Sequence, residues 1–283
     1  FFVSMQTRRV ILHYWENQFR LNCVDSPRLS AQILLSHVLG VSRLDMLLDL
    51  EKPVSPSSTQ QFMALADRRA HGEPVAYLVG EKEFYGLSFR VTPSVLIPRP
   101  ETEILVDYVL GQTAVIPKYI ADIGTGSGAL AVTCACQLPG SHFVATDISR
   151  SALRLAHMNA QKHGVADRIV FLESNLVDAV QCQQVDIFLA NLPYVPASRR
   201  MKMSREVTDY EPHGAIFAGE DGLDTYRELV MKLSGRVKRG ALLLCEIDSS
   251  QGLAVRDLFE GISLGVQVIK DHALHDRLAV VVF

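Results

Sequence analysis

Tyr119-Ile120-Ala121-Asp122-Ile123-Gly124-Thr125-Gly126-Ser127-Gly128-Ala129-Leu130 is the stretch that decides the architecture. A strand-like apolar run enters three glycines at alternate positions, and an apolar pattern from Ala129 to Leu138 takes over at once. Glycine permits the tight turn and lets backbone amides approach a ligand. The helix N-terminus behind the turn favours a carboxylate or a phosphate. The spacing is G-x-G-x-G, which differs from the dinucleotide fingerprint G-x-G-x-x-G, and no P-loop lysine follows. A ligand without a pyrophosphate is therefore expected.

Outward from this turn, strand patterns alternate with helical ones. The predicted strands are Tyr119–Ile123, Phe143–Asp147, Ile169–Leu172, Val185–Ala190, Ala241–Ile247, Val266–Lys270 and Leu278–Phe283. Between them, Leu223, Tyr226, Leu229, Val230, Leu233 and Val237 mark an amphipathic helix with Asp221 near its start. Such alternation predicts an open, mostly parallel α/β sheet with helices on both faces. Ligands of these sheets bind outside the carboxyl ends of the strands, so the chemistry is expected just after each strand.

The second strand ends in Asp147, about 20 residues beyond the loop, where a carboxylate can accept both hydroxyls of a ribose. Loop and acid together imply a nucleoside with a carboxylate-bearing tail, and S-adenosylmethionine fits that description. After the third strand, Asn175 is placed to bond an adenine edge and Leu176 to pack on its face, although a solvated loop fits the residues nearly as well. After the fourth strand comes Asn191-Leu192-Pro193-Tyr194. The asparagine oxygen and the next backbone carbonyl can accept the two N–H groups of a planar amide or exocyclic amine. That holds the nitrogen in line with a methyl sulfonium. Pro193 stiffens the turn, and Tyr194 offers an aromatic face to the flat substrate group and to the sulfonium.

The remainder of the chain sets bounds. With 283 residues, 48% of them hydrophobic and 21% charged, it has ordinary globular composition with length for two domains. A net charge of -3 disfavours a protein that coats nucleic acid by charge alone. Five scattered cysteines suit a reduced, cytoplasmic protein. Cys134-Ala-Cys136 lies in an apolar stretch and reads as buried thiols, and no metal site is expected. No apolar run is long enough to span a bilayer, and the opening Phe-Phe-Val-Ser does not read as a signal peptide.

The first 75 residues have helical periodicity. Ser30 is predicted to cap a helix carrying Ile33, Leu34, His37 and Val38; Leu44, Leu47 and Leu50 follow, then a face begun by Phe62, Leu65 and Ala66. His37 and His71 are read as surface or core histidines, and His272 and His275 lack a ligand set. From residue 76 to 97 the period becomes two, and Glu83-Phe84-Tyr85 and Leu87–Val91 flank Gly86 as a β-hairpin linker. In Ile97-Pro98-Arg99-Pro100-Glu101-Thr102-Glu103 the prolines forbid helix before Glu101, and a helix then carries Ile104, Leu105, Tyr108 and Val109.

At this point the sequence resembles the PrmC/HemK family, peptide chain release factor glutamine N5-methyltransferases. The resemblance runs through Ser26-Pro27-Arg28, Gly72-Glu73-Pro74-Val75-Ala76-Tyr77-Leu78, Gly80–Gly86, the Pro98–Glu103 segment, the Gly124 loop, Tyr210-Glu211-Pro212 and Gly219–Leu223. It implies a Rossmann-like class I S-adenosylmethionine-dependent methyltransferase domain over 98–283, with a mostly parallel seven-stranded sheet. A helical substrate-docking domain (1–75) and the hairpin (76–97) would precede it. By the same resemblance, Gly124, Thr125, Gly126, Ser127 and Gly128 would hold the methionine end of the cofactor and Asp147 the ribose. Asn175 and Leu176 would lie by the adenine, and Asn191, Leu192, Pro193 and Tyr194 would grip the substrate glutamine amide. The Pro98–Glu103 segment would close over the cofactor. The protein is expected to act as a monomer on release factors, with no direct nucleic-acid substrate and no membrane.

Two positions depart from the family. Its Asn-Pro-Pro-Tyr is Asn191-Leu192-Pro193-Tyr194 here, which keeps the carbonyl but frees φ and adds an N–H. Asn175-Leu176 stands where an acid and an aromatic are usual. Other readings stay open: a different protein glutamine, as in a ribosomal protein; an exocyclic amine of nucleic acid, for which Arg199, Arg200, Lys202 and Arg205 count slightly; or a non-catalytic cofactor- or partner-binding module.

Overall fold

The computed structural model describes residues 6–111 and 117–283; the opening Phe-Phe-Val-Ser lies outside the described residues. Helices α1 (Arg8–Leu21), α2 (Pro27–Leu39), α3 (Arg43–Leu48), α4 (Pro56–Ala70) and α5 (Val75–Val79) lead into strands β1 (Glu81–Phe84) and β2 (Leu87–Arg90). Then come α6 (Glu103–Gly111), β3 (Tyr119–Ile123), α7 (Ala129–Gln137), β4 (His142–Asp147), α8 (Arg150–Lys162), β5 (Ile169–Glu173) and β6 (Ile187–Ala190). The chain closes with α9 (Arg205–Tyr210), α10 (Asp224–Leu233), β7 (Leu242–Glu246), α11 (Gly252–Phe259), β8 (Gly265–Lys270) and β9 (Asp276–Val282). Among the described residues no helix is long and apolar enough to cross a membrane.

The chain forms two compact units: the chain through Glu81 together with Ser204–Tyr210, and Lys82–Met203 with Glu211–Phe283. The first unit is helical. Phe19, Leu34, Leu35, Met46, Phe62 and Ala66 form its core, with Trp15 edge-on to Phe62. Helix α2 starts earlier than Ser30: Pro27 occupies its first turn, and Ser30 lies inside the helix, buried, donating to the Asp25 carbonyl at 3.3 Å. Proline at a first helical position explains the shift. In α3 the residue that turns inward is Met46, while Leu44 stays 67% exposed; the helix is too short to follow the leucine spacing. Arg69, 2% exposed, pairs with Glu206 and bonds Ser30 and the carbonyls of Glu73 and Asp25. That pair explains why the short α9 segment belongs to the helical unit, since a buried guanidinium requires a carboxylate partner.

The second unit holds a seven-stranded sheet in the order β5-β4-β3-β6-β7-β9-β8. All neighbours up to β7 run parallel; β9 is antiparallel to both β7 and β8. Every predicted strand is present. The hairpin expected as a linker contributes to this unit's core: Phe84 and Phe89 are buried, with rings 6.1 Å apart, in the cluster containing Leu105, Val106 and Ile120. Its turn places Tyr85 and Gly86 at φ 52° and 74°, the left-handed pair that matches strand twist. Pro100–Thr102 is a short 3-10 turn, and α6 begins only at Glu103. Helix α10 buries Tyr226, Leu229 and Leu233 as its stripe predicts but ends before Val237. Cys134 is buried, with its thiol pushed up by desolvation, and Cys136 is partly buried. His37 and His71 are exposed.

A candidate methyl-transfer site at the carboxyl ends of the central strands

The strand order reverses at β3, which pairs β4 on one side and β6 on the other. In open α/β sheets a ligand crevice forms at such a switch point. A cavity of about 400 Å3 lies there, lined by residues that follow β3, β4, β5 and β6. That volume is in the range of small-molecule sites.

The glycine loop is closed by short-range bonds. Thr125 Oγ1 donates to Asp122 Oδ2 at 2.6 Å, the Ala131 N–H reaches the same oxygen at 3.2 Å, and the Gly128 N–H reaches the Thr125 carbonyl at 2.8 Å. Gly128 has φ 81°, and a Cβ there would lie 3.0 Å from Ala156 Cβ, so this glycine serves the packing of α7 on α8. Asp122 is 1% exposed, and burial lifts its carboxyl to about 6 despite the Thr125 and Ala131 bonds. Asp147 accepts the Gly126 N–H at 3.0 Å and the Ser149 N–H at 2.8 Å. Burial still outweighs those donors and raises its pKa.

Gly124, Thr125, Gly126, Ser127, Asp147, Asn175 and Leu176 all line the cavity; Gly128 does not, because it faces α8. The lining fits an S-adenosyl group. A backbone loop at the N-terminus of α7 has the chemistry to take a carboxylate tail, and the Asp147 carboxylate stands one strand over, where it can accept hydroxyls. The apolar residues Ile148 and Leu176 both line the wall and can take the faces of a flat ring. Ile148 remains 69% exposed, and the sequence reading passed over it although an apolar residue directly after a strand-end acid is a usable signal. Asn175 Nδ2 donates to Glu228 Oε1 at 2.6 Å, so α10 returns a carboxylate to the wall where position 175 lacks one. No local sequence signal announces that pairing.

The remaining walls come from Val95–Thr102 and Pro212–Ala215. Glu211, 3% exposed, joins them: one oxygen accepts the Ile97 N–H at 3.0 Å and the other pairs with Arg99.

Asn191, Leu192 and Pro193 line the same cavity as the glycine loop. Asn191 Nδ2 donates to Thr102 Oγ1 at 3.0 Å, which leaves its oxygen as the accepting end. Leu192 is buried, and a Cβ on Gly124 would lie 3.0 Å from its Cδ2, so the substitute for proline seats its side chain against the glycine loop. The Tyr226 hydroxyl lies 3.4 Å from the Ala190 carbonyl, just before this loop, and donates to the Glu246 carbonyl. Tyr194 does not line the cavity. Its hydroxyl donates to Glu246 Oε1 at 2.9 Å, and burial beside that carboxyl raises its pKa. In the basic run, Arg199 pairs with Asp248 at 2.6 Å and Arg205 with Asp209 at 3.1 Å.

Known proteins match the chain over both units. The profile of the PrmC N-terminal domain matches residues 11–80, and that of the methyltransferase small domain matches residues 100–208. A release factor glutamine methyltransferase of Moorella thermoacetica is 41% identical over 257 residues, 90% of each chain. One of Nitratidesulfovibrio vulgaris is 37% identical over 278 residues, 97% of this chain and 94% of the other. Among solved structures, a methyltransferase from Pyrococcus furiosus superposes with TM-score 0.53 at 16% identity, over 77% of this chain and 98% of that one. The T. thermophilus 16S rRNA N2 G1207 methyltransferase, solved with AdoMet and guanosine, gives TM-score 0.53 at 16% identity over 71% of this chain and 49% of that one. Those structural likenesses are of fold. The sequence relatives extend over both units, and on that ground the chain belongs to the release factor glutamine methyltransferase family.

Proposed function

We propose that this protein transfers a methyl group from S-adenosylmethionine to the side-chain amide nitrogen (N5) of the glutamine in the Gly-Gly-Gln motif of class-I peptide chain release factors. One observation supports it above the others: the accepting end of Asn191 and the glycine loop share one cavity at adjacent strand ends. Bound S-adenosylmethionine supplies an electrophilic methyl on a sulfonium. The chain supplies position and polarisation. Gly124 to Ser127 and Asp147 fix the donor, with Ile148 and Leu176 on the base and Glu228 at its edge. Asn191 Oδ1 and the Leu192 carbonyl accept the two amide N–H groups and turn the nitrogen toward the methyl. As the new N–C bond forms, the C–S electron pair leaves with sulfur, and one amide proton then passes to water. No side chain need act as a strong base before attack, because an amide nitrogen limits the rate through geometry and its delocalised lone pair.

On this reading the helical unit docks the release factor. The protein works in the cytoplasm as a monomer. The test is mass spectrometry of an unmethylated release factor after incubation with the protein and S-adenosylmethionine. One added methyl, located on the Gly-Gly-Gln glutamine, is the expected result. Cofactor binding without that product overturns the proposed substrate.

A further inference from the structure

Residues Asn191 to Tyr194 cross from the end of β6 to Val195 outside any helix or strand. The sheet fixes the entry, where Ala190 pairs with Ile123 on one side and Cys245 on the other. A buried amide fixes the exit. Gln251 is 4% exposed and stands immediately before α11. Its Nε2 donates to the Tyr194 carbonyl at 2.9 Å, the Asp221 carbonyl at 3.2 Å and the Gly222 carbonyl at 3.3 Å. Its Oε1 accepts the Asp248 N–H at 3.0 Å. Both ends of the amide are therefore in use, and the N–H at Oε1 identifies which end is oxygen. Beside it, Gly222 has φ 80°, and a Cβ there would lie 2.2 Å from the Tyr194 oxygen. Only glycine lets the backbone come this close to that carbonyl. Past the exit, the Val195 N–H donates to the Ile216 carbonyl at 2.9 Å, and the Val195 carbonyl accepts from Ala218 at 3.1 Å.

We propose that Gln251 is a positioning residue for methyl transfer: by holding the Tyr194 carbonyl it fixes the exit of the loop, and with it Asn191 and the Leu192 carbonyl. The inference rests on the reading of those two groups as the acceptors of the substrate amide. Pro193 lies between the Leu192 and Tyr194 carbonyls, and its locked φ leaves few torsions to absorb a shift of the exit. A shift of about 1 Å at the reacting groups can cost about 100-fold in rate. The atoms that Gln251 bonds belong to residues 194, 221, 222 and 248, none of which lines the cavity, so the cofactor cradle should not feel their release.

The experiment measures kcat and KM on unmethylated release factor from pH 6 to pH 9 for wild type, Gln251→Leu and Gln251→Glu, with cofactor affinity and stoichiometry by calorimetry. Gln251→Leu keeps the bulk and removes the donor. Its kcat should fall about tenfold or more, while KM for release factor and cofactor affinity hold within about threefold. One cofactor should still bind per chain, which separates this loss from that of a partly unfolded preparation. In Gln251→Glu the ionised carboxylate sets oxygen against three carbonyls, whereas the protonated acid donates one O–H. Burial among carbonyls should lift its titration into the assayed range. The ratio of its kcat to that of wild type should then rise by about threefold or more as pH falls from 9 to 6, and the same ratio for Gln251→Leu should stay flat. If Gln251→Leu fails to fold, the Gln251→Glu profile decides. Wild-type kcat in a fully loaded Gln251→Leu, a loss of cofactor affinity as large as the loss of kcat, or a pH-independent ratio in Gln251→Glu overturns the inference. A wild-type protein that binds cofactor and leaves the glutamine unmethylated overturns the proposed function, and this inference with it.

Discussion

The glycine loop after β3 and the asparagine loop after β6 spring from neighbouring strands and differ in the reach of their ties. In the glycine loop, Thr125 to Asp122 and Gly128 to Thr125 close the turn locally, and three further bonds tie it to β4 and α8: the Thr125 N–H to the Thr146 carbonyl, the Gly126 N–H to Asp147, and Asn159 to the Ser127 carbonyl. In the asparagine loop the partners are remote. Asn191 reaches 89 residues back to Thr102, and Tyr194 reaches 52 residues forward to Glu246. A local turn forms from its own residue types. A loop tied to distant strands is only as well placed as the fold that brings those strands together. The first design suits a cofactor cradle that any rearrangement of the substrate side must leave intact. The second suits a gripping loop whose orientation must be specified.

Four measurements break or sharpen that contrast. The largest effect is expected at Asn191: Asn191→Ala should lower kcat/KM for glutamine methylation by about 100- to 1000-fold, the scale of losing one preorganised polar contact to the reacting group. Cofactor binding should persist, since none of the bonds that hold the glycine loop involves Asn191; comparable loss of both would erase the distinction between the loops.

Next is Asp122, whose folded-state carboxyl sits near 6 against the ordinary 3.8 because of burial. The raised value means the native state holds the proton more tightly than the unfolded chain. Its contribution is therefore most favourable below pH ~4 and declines as pH rises toward ~6, then stays flat, a change of roughly 3 kcal/mol. Denaturant titrations at pH 4, 5, 6 and 7 should show this slope in wild type and not in Asp122→Asn. An identical slope in both proteins would refute the assignment.

Asp147→Ala should weaken S-adenosylmethionine by about 10- to 100-fold in calorimetry, the loss of hydrogen bonds to an ionised acceptor at about 1.5–3 kcal/mol. Unchanged affinity would remove Asp147 from the ribose. The smallest effect belongs to Tyr226→Phe, which removes the hydroxyl that donates to the Glu246 carbonyl beside the Ala190 carbonyl in the core. A loss of about 1–3 kcal/mol in stability is expected, with a lower kcat and no change in cofactor affinity. A fully active, equally stable variant would show that the asparagine loop does not depend on this tie.

Both departures from the family pattern acquire an account in the structure. Leu192 is buried and seats its side chain against Gly124, so packing on the glycine loop stands where a proline ring would stiffen the turn. The carboxylate absent at Asn175 is present at Glu228, 2.6 Å away. Glu228 comes from α10 and lies too far along the chain to be paired by pattern.

Much of the fold was legible beforehand. Alternating apolar runs placed all seven strands of the sheet, and the turn residues placed the hairpin. The errors have one character. Ser30 was read as a cap because serine favours that position, but the buried Arg69 takes it as a partner and Pro27 starts the helix. The period-two pattern around Gly86 marks a hairpin and leaves its packing open, and Phe84 and Phe89 lie in the core beside β3.

The sequence by itself determined the strand–glycine–helix turn, the order of strands and helices, and the residues waiting at each strand mouth. Those follow from side-chain periodicity and from φ freedom at glycine, which act within a few residues. Tertiary structure alone decided which side chains are charged and buried, and which of the mouth residues face the cavity. It turned Tyr194 to Glu246 and away from the cavity, set Glu228 beside Asn175, and drew Glu206 to Arg69. Such choices depend on desolvation, and desolvation depends on everything packed around a group, which no single stretch of chain contains.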